Sequence, residues 1–399
     1  MSLILDHLPT SKEFFLEFWN KKPFVVRGLI PTEVTETLID EDHVAGLAME
    51  EEVKSRLVRK GKKQSDWKCD YGPLAEQVFA ELGEEDWSLL VQNVDLYHEE
   101  TAELLKHFNF CPRWLLDDIM VSYSPKGGTV GSHSDSYHVF LVQGKGERRW
   151  KVAYEALEKE DHIEDIPLKI LKTSFDGEEV TVSEGDVIYI PPLFPHEGVS
   201  LQPSLTYSVG FLGPALSEML IEFGHFLEEN YQDMPRYLGQ NLTESAVPFQ
   251  VGADHIRDFR SFMTDVFDED YFVKWLAQYF SKPAQNLGGE FDDEFDSDGA
   301  DEGPFGAVYE GVHETAKTLI DGDGQLIKPP FVKIMITPLK SPQQYAVSVG
   351  DLFFDLAFSD LGVVNMMAQE TPFPATVFAK HVDILQQLLD GHCLEIIDA

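Results

Sequence analysis

The chain has 399 residues, 31 Lys+Arg against 70 Asp+Glu for a formal net charge of −39, and 43% hydrophobic residues. That length allows two or three domains of roughly 100–200 residues with substantial cores. The acidity argues against direct nucleic-acid binding, DNA included, because phosphate needs basic patches; no run reaches the roughly 18 apolar residues of a membrane span.

From the N-terminus, "SKEFFLEFWNKK" predicts a helix whose apolar face carries Phe14, Phe15, Phe18 and Trp19. A strand-rich stretch follows. The glycine-rich bend "SPKGGTVGS" leads into "YHVFLVQG", an apolar run that predicts a buried strand, and a Gly144–Gly146 turn opens the next strand at Arg148 and Arg149. The acidic stretch "EALEKEDHIEDIP" reads as a solvated loop. A turn at Gly185-Asp186 feeds a strand from Val187 to Ile190, which the following prolines end. Gly213-Pro214 closes the strand region, so residues 1–212 read as a small antiparallel double-sheet barrel with added helices. Residues 213–284 show helical spacing in "ALSEMLIEFGHFLEENY" and "DFRSFMTDVFDEDYFVKWLAQYF", which predicts a helical bundle. Residues 285–303, rich in glycine and acid, read as a linker or exposed loop. Glu294, Asp296, Asp298 and Gly299 imitate a calcium loop, but Phe305 stands where the bidentate glutamate belongs, which excludes an EF-hand. Residues 304–399 mix helix and strand, giving an α+β chain.

The chemistry concentrates in "VGSHSDSYHVF" and "PPLFPHEGVS". Strand alternation puts His133 and Asp135 on one face, and His196 follows a proline turn. Two imidazoles and one carboxylate on one face of a metal form the facial triad of non-haem Fe(II) oxygenases, which leaves positions open for co-substrate and dioxygen. His138, three residues past Asp135, falls on the opposite face and reads as a hydrogen-bonded or exposed histidine. Tyr137 shares the face of the pair and is a pocket-lining or packing residue. Such an oxygenase also needs an anion receptor; Arg148 or Arg149 suits it, because a guanidinium holds a carboxylate through two parallel hydrogen bonds, and only one of the two can point inward.

The segments "SYSPKGGTVGSHSDSYHVFLVQGKGERRWKV" and "GDVIYIPPLFPHEGVSLQPSLTYSVGF", with the N-terminal "FFLEFWNKKPFVVRG", resemble the bacterial ribosomal oxygenases of the JmjC/cupin superfamily. More narrowly they resemble the arginine hydroxylases of a large-subunit ribosomal protein, the sixteenth in its naming series. The likeness is densest from Phe14 to Phe211. It implies a double-stranded β-helix (jelly-roll) catalytic domain, a helical region that forms a homodimer, and a winged-helix-like C-terminal module. It makes His133, Asp135 and His196 the Fe(II) ligands and gives Arg148 the distal carboxylate of 2-oxoglutarate. Ser124 matches a second co-substrate contact. Thr206 falls where relatives carry asparagine, and Ser208 shares its strand face. The implied reaction couples decarboxylation of 2-oxoglutarate by dioxygen to hydroxylation of a basic ribosomal protein.

An acidic surface would attract such a partner and raise its encounter rate, although a salt-adapted composition gives the same excess. Hydroxylation of another residue, lysine demethylation, a cupin enzyme working without 2-oxoglutarate, and a non-catalytic barrel remain open on sequence. Cys69, Cys111 and Cys393 are widely spaced and lack C-x-x-C, so neither a disulfide framework nor a zinc ribbon is expected. With no basic leader ahead of an apolar stretch at the N-terminus, the expected location is the cytoplasm.

Overall fold

The computed structural model describes residues 2–63, 66–239, 249–282, 316–369 and 371–397. These fall into two compact units, residues 2–213 and the described residues of 214–282 and 316–397.

Twelve strands build the first unit: β1 (Ile4–Leu5), β2 (Phe24–Val26), β3 (Ser55–Arg59), β4 (Lys68–Tyr71), β5 (Trp87–Val91), β6 (Leu116–Ser124), β7 (His138–Lys145), β8 (Arg148–Ala153), β9 (Gly177–Val182), β10 (Val187–Ile190), β11 (His196–Ser200) and β12 (Ser204–Phe211). Nine form one sheet in the order β1-β2-β10-β7-β12-β6-β5-β3-β4, and β11-β8-β9 form the smaller one. All pairings are antiparallel except β1 with β2.

Period-two alternation sorts the side chains of β7 into two cores. Phe140 and Val142 point outward into a core with Phe14, Phe108 and Tyr189, while Val139 and Leu141 point inward against Trp150, Val152 and Ile188. Full burial of each such side chain stabilises the fold by about 1.5–3 kcal/mol. The N-terminal helix departs from the expected regular face. Phe14–Phe18 form a π turn closed by Trp19 N–H donating to the Phe14 carbonyl at 2.9 Å. The wider turn buries Phe14 and Phe18 but leaves Phe15 38% exposed.

The register aligns one row across six neighbouring strands of the large sheet. Tyr71 opposes Arg56, Arg56 opposes Leu90, Leu90 opposes Ser122, Ser122 opposes Thr206, and Thr206 opposes Gln143. Directly opposed residues share a face, so a polar row runs along the inner face to the edge strand β4.

In the second unit, helices Leu216–Asn230, Ala253–Phe267 and Asp270–Ser281 gather around Phe223, Trp275 and Tyr279. The last of them packs on an antiparallel meander of Ile334–Pro338, Gln344–Val349 and Leu352–Ala357, with Ser281 Oγ donating to the Gly350 carbonyl at 2.7 Å. Helices Leu361–Met367 and Val382–Asp390 cover a second core that includes Leu326, Val347, Phe378 and Leu385. The acidic 285–303 stretch, the calcium-loop positions and residues 304–315 of the expected C-terminal module lie outside the described residues.

Candidate metal centre

His133 and Asp135 precede β7 rather than lying on it. What aims them is pairing with the start of β11: His133 N–H donates to the His196 carbonyl at 3.0 Å, and His196 N–H returns a bond to the His133 carbonyl at 2.8 Å. The Asp135 carbonyl accepts from Leu193 N–H at 2.7 Å, which ties the same segment to the proline turn. Leu193 holds a left-handed φ of 65° there, a conformation that costs a leucine roughly 1–2 kcal/mol.

Each imidazole is then locked by its own chain. His133 Nδ1 lies 3.0 Å from the Gly131 carbonyl and His196 Nδ1 lies 3.0 Å from the Phe194 carbonyl. A carbonyl only accepts, so each Nδ1 carries the proton and each Nε2 presents a bare lone pair. Both Nε2 atoms face one carboxylate: His133 Nε2 is 3.7 Å from Asp135 Oδ1, and His196 Nε2 is 3.5 Å from Oδ2. All three ligand atoms lie within 4.8 Å of one another. Burial, reinforced by His133, pushes the His196 pKa down to about 4, so the ring is neutral at physiological pH. Two imidazoles that present Nε2 and one carboxylate fit a divalent transition ion. Gly131, at φ +87°, sits where a Cβ would come within 2.8 Å of Ile170, so only glycine offers its carbonyl to His133 in this way.

Above the polar row, β8 turns Arg148 inward and Arg149 out to solvent. Arg148 is 3% exposed, and no carboxylate among the described residues pairs with it. Its Nη1 reaches Ser122 Oγ at 3.5 Å, its Nη2 donates to the Gly198 carbonyl at 3.3 Å, and its Nε is buried without a hydrogen bond. The guanidinium lies 5.0 Å from the Trp150 ring, and burial pushes its pKa down to about 10. A Cβ on Gly198 would fall 2.7 Å from Arg148 Nε, so the bare glycine makes room for it. A buried cation left without an anion is costly; a carboxylate ligand would relieve that cost.

Not every sequence candidate reaches this cleft. Thr206 and Ser208 line it with the three metal-site residues, Tyr137 and Arg148. Thr206 Oγ1 spends its proton on Gln143 Oε1 at 3.1 Å, while Gln143 Nε2 donates to the Lys145 and Leu205 carbonyls. Thr206 is therefore placed to accept rather than donate. Ser124 is fully buried outside the lining, its Oγ 2.7 Å from Ser88 Oγ. Ser122, two residues earlier on the same face, is the serine beside Arg148. The sequence reading also missed Asp117, Asp118 and Met120, which line the cleft; alternation along β6 from Ser124 was the available signal for Met120 and Asp118. His138 stacks on Trp19 at 3.5 Å and bonds the Tyr189 hydroxyl at 2.8 Å, away from the cluster. The acidic loop is solvated as expected but anchored, with Ser134 Oγ donating to Glu160 and Leu171 N–H to the Ser132 carbonyl.

Two facing antiparallel sheets with this cleft between them define a JmjC-type cupin domain, and the JmjC domain family matches residues 103–219. The uL16 3-hydroxylase of Escherichia coli K12 is 35% identical over 280 residues, 69% of this chain and 72% of that protein. A probable ribosomal oxygenase of Haemophilus influenzae is 40% identical over 219 residues, 54% of this chain and 52% of that one. The structure of the E. coli ribosomal oxygenase YcfD with cobalt and 2-oxoglutarate superposes with a TM-score of 0.75 at 26% identity, covering 98% of this chain and 99% of that one. The chain belongs to the bacterial ribosomal oxygenases of the JmjC/cupin superfamily.

Proposed function

We propose that the chain is an Fe(II)- and 2-oxoglutarate-dependent hydroxylase of the ribosomal protein uL16, acting on an arginine side chain. The observation that carries this reading is the convergence of two bare Nε2 atoms and one carboxylate beside a buried guanidinium that has no acid of its own. His133, Asp135 and His196 hold the metal. Iron held there would supply the dioxygen chemistry that no side chain can, with 2-oxoglutarate as its co-substrate. Arg148 grips the distal carboxylate of 2-oxoglutarate with Ser122 beside it, while Thr206, whose proton goes to Gln143, lines that end of the cleft without bonding the anion. Trp150, Val139 and Leu141 keep that end of the cleft apolar and exclude water.

At the β6 side, Asp117 and Asp118 line the same cleft as Met120 and Tyr137. Carboxylates next to apolar surface suit the guanidinium and methylene stem of an arginine. The chain works in the cytoplasm, where its three free thiols persist. It forms a homodimer through exposed apolar positions such as Leu220, Ile221, Ile256 and Met263; sedimentation of the intact chain as a monomer would refute that part. For the reaction, anaerobic loading with Fe(II) followed by 2-oxoglutarate, air and recombinant uL16 should raise the uL16 mass by about 16 Da, one oxygen atom. An unchanged uL16 mass alongside steady succinate production would overturn the substrate.

A further inference from the structure

Seven of the chain's 31 Lys and Arg residues fall between Lys54 and Lys68, where Asp66 is the one acid. In a chain carrying −39 this is a reversal of sign over fifteen residues. The stretch contains β3 and reaches the first residue of β4, the strand at the free edge of the nine-stranded sheet. Arg59 is paired with Asp70, and Arg56 faces the cleft. Lys60, Lys62, Lys63 and Lys68 are exposed and form no ion pair among the described residues. Two acids of the adjacent turn point elsewhere. Glu85 is 3.7 Å from Lys126, and the Asp86 carboxylate lies over Gly127.

Backbone and aromatic groups complete the surface. Gly72 N–H donates to the Ser55 carbonyl, so by antiparallel alternation the peptide groups of Cys69 and Tyr71 face away from β3, toward the free edge. Tyr71 is 46% exposed and ends the polar row that begins at Gln143, on the same face as the cleft-lining Arg56. Lys60 lies four residues beyond Arg56, about 13 Å along the strand.

We infer that the β3–β4 edge is a single-stranded RNA site: Lys60, Lys62 and Lys63 take phosphates while a base stacks on Tyr71. Lysines tracking a backbone beside an exposed aromatic face are what such binding needs. Net acidity repels RNA at long range, but at about 0.1 M salt it is screened beyond about 10 Å, so the groups at the contact itself set the affinity. The choice of RNA over other polyanions rests on the ribosomal-substrate reading, because a ribosomal protein presents its residues next to RNA.

The test is fluorescence anisotropy of a labelled twelve-nucleotide oligouridylate with the full chain. Three phosphate contacts to a single strand predict about a 20-fold loss of affinity on raising salt from about 50 to 200 mM. Joint Lys60→Gln, Lys62→Gln and Lys63→Gln should weaken binding at low salt at least about tenfold and flatten the salt dependence. Tyr71→Ala should weaken it about tenfold and leave the salt slope intact. No binding by the wild-type chain at low salt, or wild-type affinity in the lysine variant or in Tyr71→Ala, overturns the inference. So does equally tight binding of a polyglutamate of matched length, which would assign the hairpin to an acidic protein. Hydroxylation of free uL16 by the lysine variant should equal that of wild type; if neither hydroxylates it, the substrate reading fails while the anisotropy result stands separately.

Discussion

His133 and His196 exchange two main-chain hydrogen bonds, at 3.0 and 2.8 Å, and their rings stand 4.3 Å apart. This one pairing joins the segment before β7 to the first residue of β11 and fixes both imidazoles relative to Asp135.

Removing a ligand should therefore remove the metal without unfolding the barrel. His133→Ala or Asp135→Ala should lower 2-oxoglutarate-dependent succinate formation by at least about 100-fold, since even partners of metal ligands are worth 10–100-fold. Turnover near the wild-type rate in either variant would refute the assignment.

Arg148 separates binding from stability. Loss of its charge-assisted bonds in Arg148→Met should weaken 2-oxoglutarate binding by about 10–100-fold while metal affinity holds. The same variant, without ligand, should melt higher, because an apolar side chain replaces a buried charge that lacks an acid. Calorimetric titration and a thermal melt read the two effects. Unchanged co-substrate affinity would move the anion receptor elsewhere.

Asp118→Asn should raise the KM for uL16 by about tenfold or more, the loss expected for one hydrogen bond to a charged group. Its Oδ2 also accepts from Asn93 N–H at 2.9 Å, a bond the asparagine oxygen can keep. Succinate formed without protein substrate should not change. A fall in that basal rate would mean a structural effect instead.

His138 gives a pH signature remote from the metal. Burial holds its pKa down at about 4 from an ordinary 6.5. The unfolded chain takes up this proton below 6.5 and the folded chain does not until about 4, so stability falls as pH drops through that window. The gap corresponds to about 3 kcal/mol. Urea midpoints measured from pH 7 to 4 should decline less steeply in His138→Gln; parallel curves would show that His138 contributes nothing.

Much of this was legible in the chain. The apolar run of β7, the Gly185-Asp186 turn before β10 and the arginine pair opening β8 follow from period and turn chemistry, and the triad follows from residue type. Long-range pairing was not legible. His133 and Asp135 owe their aim to the bridge with His196, which local alternation does not encode. Ser122 and Ser124 share a face one pleat apart, and only the height of Arg148 above the sheet distinguishes them. Phe15 left the core because the helix widens into a π turn, a change that apolar spacing does not announce.

The outward nitrogens of both imidazoles are committed to carbonyls two residues upstream, so the backbone sets which nitrogen each ring presents. Two imidazoles and one carboxylate do not by themselves select ferrous iron over its neighbours. Cobalt, nickel and copper would seat as well or better by intrinsic affinity. Correct metallation must then depend on which ions the cell keeps in supply, and protein purified in excess nickel or zinc should be fully folded yet inert until the intruder is stripped.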